Sequence, residues 1–114
     1  MRSKEDLLAI LAALEVGYFD ISERRGRTPL VEYTDDDKEL LEECQKTWKG
    51  GVTVVDEYRL NALTRSRGKY IWTLFDEKAY LFSKDIEPRL TGVRHGKCME
   101  VIEWYEDNRH FQSR

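Results

Sequence analysis

The chain has 114 residues, a formal charge of −3, 40% hydrophobic and 36% charged residues, and only two cysteines. That length suits one domain with a small but real core. The composition rules out a disulfide-stapled scaffold, and no apolar run reaches the ~20 residues needed to span a bilayer. The amino terminus does not pair a basic segment with a cleavage site, so no secretory signal is expected. Cys44 and Cys98 are expected to be reduced and buried in a cytoplasmic protein, and His95 and His110 lack partners at metal-ligand spacing. Charge is unevenly spread: residues 1–57 hold 8 Lys/Arg and 14 Asp/Glu, whereas residues 58–114 hold 11 and 8. Solvated helix faces are the plain explanation of such asymmetry.

Leu7 to Leu14 is an unbroken apolar run of Leu, Ile and Ala without Gly or Pro, and Ser3 stands upstream as a helix cap. The run reads as a helix that continues to Gly17. Because its apolar side chains surround the axis, it is expected to be buried on more than one side. Ala9, Ala12 and Ala13 leave a small-residue patch where another backbone can approach. Tyr18 to Arg24 then alternates as a strand, and Arg25-Gly26-Arg27 makes a basic turn. Thr28 to Tyr33 alternates again, with Pro29, Val31 and Tyr33 on one face.

Thr34 to Asp37 reads as a helix start, since side-chain oxygens cap free amides and acids suit the positive end of the dipole. Leu40, Leu41, Cys44 and Trp48 follow at helical spacing, and Gly50-Gly51 stops the helix. Val52 to Leu60 is a third strand, with either Val52 and Val54 or Thr53 and Val55 inward. Arg65-Ser66-Arg67-Gly68-Lys69 is a second basic turn, and Tyr70 to Phe75 a fourth strand. A helix opens at Asp76 or Glu77, runs through Ala79, Tyr80, Leu81 and Ile86, and breaks at Pro88. A last helix is expected from about Gly96 to Asn108. Trp48, Trp72 and Trp104 recur on inward positions and are expected in the core.

The order is helix, hairpin, helix, hairpin, helix, helix, and the two hairpin–helix units echo each other. Two antiparallel hairpins side by side form an α+β fold: a four-stranded antiparallel sheet with helices on one face. The other face is left open, with basic turns at its far edges. Tyr18, Asp20, Ser22 and Arg24 are expected on it, and Glu32, Thr53, Arg59, Lys69, Ile71 and Thr73 join them by alternation. Such side chains suit base edges: Arg and Lys contact guanine, Ser and Thr either base, and Asp or Glu accepts from cytosine. Arg24, Arg25 and Arg27, with Arg65, Arg67 and Lys69, are placed for phosphate contacts, which supply affinity without sequence information.

This layout resembles the single-motif LAGLIDADG homing endonucleases, from Leu7 to about Trp104. AlaLeuGluValGlyTyrPheAspIle sits where that family has its motif helix, glycine and first strand. ThrAspAspAspLysGluLeuLeu, TrpLysGlyGlyValThrValVal, TyrIleTrpThrLeuPhe, IleGluProArgLeu and ValArgHisGlyLysCysMetGluValIleGluTrp are similar to its later segments. The resemblance implies a αββαββα domain that pairs through its motif helix into a homodimer. Leu8, Ala9, Ala12, Ala13 and Val16 would form that interface, and the paired sheets would straddle double-stranded DNA. It also sets Arg94 and Lys97 near the family's basic residue close to the cleaved phosphate. The departures are informative. Leu11 occupies a position usually glycine, and Leu14 one usually Asp. Val16 stands where the family has the acid that binds the catalytic metal, and valine cannot coordinate a hard cation. The resemblance therefore implies a duplex DNA-binding, regulatory or accessory protein that has lost cleavage, with no cofactor and no catalytic or metal-binding residue. The alternatives are an active endonuclease using Mg²⁺ through Glu15, and an acidic protein-interaction module on the same fold.

Overall fold

A computed structural model of the chain describes residues 1–14, 16–23, 26–54 and 69–112, with side chains described through residue 108. The architecture is α+β, a four-stranded antiparallel sheet with the helices packed on one face. In chain order the elements are α1 (Lys4–Ala13), β1 (Tyr18–Ser22), β2 (Thr28–Asp35), α2 (Lys38–Trp48), β3 (Gly51–Val54) and β4 (Tyr70–Phe75). They are followed by α3 (Asp76–Ile86), a 3₁₀ turn (Glu87–Arg89) and α4 (Gly92–Gln112). The strand order is β1-β2-β4-β3, so the two hairpins meet through β2 and β4.

Local chemistry explains most boundaries. Ser3 caps α1, its hydroxyl accepting from the Asp6 amide at 3.1 Å, and Glu5 and Asp6 suit the positive end of that helix. The helix ends at Ala13, earlier than the expected Gly17: the Leu14 amide turns back to the Ile10 and Leu11 carbonyls. Gly17 has another role. A Cβ there would lie 2.6 Å from Cζ of Tyr33, so only glycine lets the chain cross that ring. Asp37, not Thr34, caps α2 by accepting from the Leu40 amide at 3.1 Å, because Thr34 and Asp35 continue β2 opposite Ile71 and Tyr70. Lys49 and Gly50 both take positive φ to stop α2. The stop is locked by Gln45, which donates to the Gly50 carbonyl at 3.0 Å, and by the Trp72 indole, which donates to that of Lys49 at 2.8 Å. The final helix begins at Gly92 rather than Gly96; Gly92 has a positive φ that lets the chain turn out of the 3₁₀ segment into it.

The core lies between the sheet and the helices. Phe19, Val31, Tyr33, Trp72 and Leu74 point inward from three strands and are at most 2% exposed. Trp72 and Phe82 stand edge to face at 5.1 Å, and Trp48 and Phe82 at 5.0 Å, the arrangement that suits aromatic quadrupoles. Cys44 and Cys98 are free and buried. Trp104 is only partly buried at the margin of this cluster, in contrast to Trp48 and Trp72. Val52 pairs with Trp72 and Thr53 with Ile71, which turns Val52 inward and Thr53 outward and settles the register of β3. Residues 55–60 of the expected third strand lie outside the described residues.

Helix α1 packs against α2, α3 and the 3₁₀ turn. Only Leu7, Leu8 and Leu11 are buried along it; Ala9 and Ala13 are exposed. Within one protomer α1 is therefore covered along a single stripe, and the second covered side expected for it is not supplied by the protomer itself. The reason is helical geometry: Leu7, Leu8 and Leu11 share one stripe, and the alanines fall on the opposite side. Ion pairs hold the amino-terminal half of α1 in place, Lys4 to Asp85 at 2.9 Å and Glu5 to Arg89 at 2.6 Å. The chain before α1 is also tied down, since the Arg2 amide donates to the buried Glu43 carboxylate at 2.7 Å.

Candidate nucleic-acid interface

Strand alternation and register together define the face turned away from the helices. Residues opposite each other in an antiparallel pair share a face. One row therefore runs Tyr18–Glu32–Thr73–Gly51 across all four strands, and another Thr34–Ile71–Thr53 across three. A third runs Asp20–Leu30–Phe75, and Ser22 stands opposite Thr28. Tyr18, Asp20, Ser22, Glu32, Thr53 and Thr73, six of the residues singled out from the sequence, thus fall on one face.

That face is not uniformly open. Tyr18 is 49% exposed, but Ile71 is 1%, Thr34 5% and Ser22 7% exposed. Ser22 was expected to be available there; it keeps the expected orientation without the expected exposure. The Thr34 hydroxyl is buried with no hydrogen-bond partner among the described residues.

The middle of the face is acidic. The Tyr18 hydroxyl donates to the Asp20 carboxylate at 2.9 Å, and Glu32 stands opposite Tyr18. Desolvation, the hydrogen bond to Asp20 and the negative charges of Asp20 and Glu32 all push the Tyr18 phenol above its ordinary pKa. Tyr18 therefore remains a neutral donor.

Each end of the sheet carries an exposed cation, Arg27 near Glu23 and Lys69 beside Asp36. Arg27 directly precedes Thr28, at the end where β1 turns into β2, and Lys69 directly precedes Tyr70, which stands opposite Asp35. Because β2 and β4 are antiparallel, their first residues lie at opposite ends of the sheet. Arg27 and Lys69 flank the 8 residues of β2, so nine steps of ~3.4 Å, about 31 Å along the strand, separate them. Both side chains are exposed. The Lys69 amide is held by Asp36 Oδ1 at 3.0 Å, which positions this end while its ammonium stays in solvent. Arg24, Arg25, Arg59, Arg65 and Arg67 lie outside the described residues, as does Glu15.

Arg94 is engaged within the protomer. Its guanidinium donates to the carbonyls of Leu14 and of Ala12, the latter at 3.0 Å. The last turn of α1 carries no basic residue of its own, so a cation from 80 residues later satisfies its orphan carbonyls and the negative end of its dipole. Lys97 lies on α4 and pairs with Glu100 at 3.3 Å, one turn along the helix. Neither side chain is on the sheet face.

At the expected dimer interface, Leu8 is 3% exposed inside the protomer's own core, and Val16 packs partly buried against that core. Ala9 and Ala13 are exposed and Ala12 half-buried, so an alanine surface remains on the outside of α1. Among the described residues no three His, Cys, Asp or Glu side chains converge to hold a metal ion. No described helix is long and apolar enough to cross a membrane.

Sequence reasoning missed one feature of the face, a hollow of about 320 Å³ at its β3 edge, lined by Gly50, Gly51, Thr53, Thr73, Phe75 and Lys78. Alternation alone places Phe75 beside Thr73. The cross-strand register that brings Gly51 to Thr73 is a long-range fact with no local signal. No protein-family model matches the chain, and no curated protein matches it at a significant level.

Proposed function

We propose that this protein binds duplex DNA as a homodimer through the outer face of its sheet, and that it does not cut the duplex. The observation that carries this reading is the placement of Arg27 and Lys69 at opposite ends of a strand-lined face. Cations at both ends can hold backbone phosphates, while Tyr18, Asp20, Glu32 and Thr73 between them offer donors and acceptors to base edges. An acidic centre would repel phosphates, but Asp and Glu are suitable partners for the cytosine amino group. The alanine surface of α1 is the proposed contact between protomers. Val16, packed against the core, offers no carboxylate to a catalytic metal. Regulation by occupancy of DNA is the role that fits. The acidic centre also gives some support to a second reading, a protein-interaction module with a basic partner.

Salt dependence separates the two. With a mixed-sequence duplex, the logarithm of the binding constant should fall steeply with the logarithm of salt. Arg27→Ala and Lys69→Ala should each flatten the slope by about one unit and weaken all sequences alike. A shallow wild-type slope, or no duplex binding, would leave the protein-interaction reading in place. Ala13→Arg should give a folded monomer, because that site is exposed in the protomer; a wild-type solution mass of one chain would remove the dimer. Specific cleavage by the wild type with Mg²⁺, lost in Glu15→Gln, would replace the non-cutting reading with the endonuclease.

A further inference from the structure

We propose that the hollow at the β3 edge seats one sugar–phosphate unit of the duplex backbone, with Lys78 holding the phosphate. The inference rests on the duplex-binding reading and adds a contact that neither hairpin turn supplies. Four observations support it. The hollow is continuous with the proposed interface, because Gly51 ends the row that begins at Tyr18. Its lining holds one cation, Lys78, two hydroxyls, Thr53 and Thr73, and no carboxylate, in contrast to the acidic middle of the same face. Lys78 is exposed and forms no ion pair among the described residues. Phe75 supplies an apolar wall, which suits the carbon face of a deoxyribose rather than a bare inorganic anion.

The two glycines differ in a way that points to a ligand. Gly50 is required by the fold: its φ is +87°, and a Cβ there would lie 2.5 Å from the Thr73 carbonyl. Gly51 is required by nothing among the described residues. It has no positive φ, and a Cβ there would meet nothing within 4 Å. A strand position with open space above it ordinarily gains from a β-branched residue, because glycine in a strand loses more conformational freedom on folding and packs nothing. Glycine at 51 keeps the hollow empty, and close approach of a ligand is the use glycine serves in such a place.

Gly51→Val fills the hollow without a clash among the described residues, and Lys78→Gln removes the charge while keeping a polar, flexible side chain. Both variants should fold, with melting temperatures at or above that of the wild type for Gly51→Val. The probe is a short mixed-sequence duplex titrated across a range of salt. Lys78→Gln should weaken binding roughly fivefold at about 0.15 M salt and lower the slope by about one unit, the share of one released counterion. Gly51→Val should weaken binding similarly with Lys78 intact. Amide signals of Gly50 and Thr53 should shift on adding duplex to the wild type and stay unmoved in Gly51→Val. A wild type that binds duplex with a steep slope, alongside variants with unchanged affinity and slope, overturns this contact and leaves the duplex-binding reading standing. A wild type that does not bind duplex overturns both.

Discussion

The two faces of the sheet are built from the same strands by the same alternation, yet they answer to different demands. Phe19, Val31, Tyr33, Trp72 and Leu74 on the inner face are excluded from water and interlocked with Phe82 and Trp48. Tyr18, Asp20, Glu32 and Thr73 stand one residue away along each strand and retain access to solvent. Inward side chains are chosen by volume and apolar area, which the protomer itself supplies. Outward ones that stay accessible, unlike the buried Ile71, Thr34 and Ser22, are free of that demand. Substitutions on the inner face should therefore change stability, as should those at the buried outer-face residues Ile71, Thr34 and Ser22, whereas substitutions at the accessible Asp20, Glu32 and Thr73 should change binding at nearly constant stability.

The largest effect should come from the centre of the inner face. Trp72→Ala removes a fully buried indole and leaves the Lys49 carbonyl without its donor. A loss of about 3–5 kcal/mol is expected, enough to unfold a small domain. Urea denaturation followed by far-UV circular dichroism would measure it, and a loss below ~1 kcal/mol would contradict the packing described.

Alkaline pH probes the layer packed on the same inner face without mutation. Burial pushes the thiols of Cys44 and Cys98 up to about 12, from an ordinary value of 9.0. Between these values the folded chain keeps protons that the unfolded chain releases, so stability is complete below about pH 9 and falls as pH rises toward 12. Urea midpoints should decrease from about pH 8 to about pH 10.5, and the decrease should be shallower in Cys98→Ala. A midpoint independent of pH across that range would show that the thiols titrate normally and are not desolvated.

Arg94 belongs to neither face and tests the seam between α1 and the first strand. Arg94→Ala should cost roughly 1.5–3 kcal/mol, the range for hydrogen bonds from a charged donor, because the Ala12 and Leu14 carbonyls lose their partner. Lys at this position should restore only part of it, since an ammonium lacks the two-pronged geometry that reaches both carbonyls. Were duplex affinity lost with stability unchanged, Arg94 would be a DNA ligand rather than a clamp on α1.

The smallest change in stability should be on the outer face. Asp20→Asn and Glu32→Gln should each shift stability by less than ~0.5 kcal/mol. They should raise affinity for mixed-sequence duplex by removing negative charge from a surface proposed to meet phosphates, and they should reduce discrimination between sequences. A large fall in melting temperature would mean that these carboxylates stabilise the fold and that the contrast between the two faces is false.

Much of the fold was legible because it is encoded locally. The alternation of Pro29, Val31 and Tyr33 announced an inward strand face, and the spacing of Leu40, Leu41, Cys44 and Trp48 announced one helix stripe. Ser3 announced the start of α1, and Tyr70–Phe75 matched its strand from end to end. Each of these signals depends only on a period of two or 3.6 residues, or on one side chain near free amides. Only the tertiary structure decided how these pieces bear on one another. It turned Arg94 onto the carboxyl end of α1, a partnership across 80 residues that no spacing rule reports. It placed Leu8 in the core and left Ala9 and Ala13 outside, because the direction of a helix stripe is set by what packs against it. It chose Val52 over Thr53 as the inward residue of β3 and brought Gly51 opposite Thr73 to open the hollow beside Lys78. Strand pairing and helix docking join residues far apart in the chain, so their geometry is carried by the whole core rather than by any one segment.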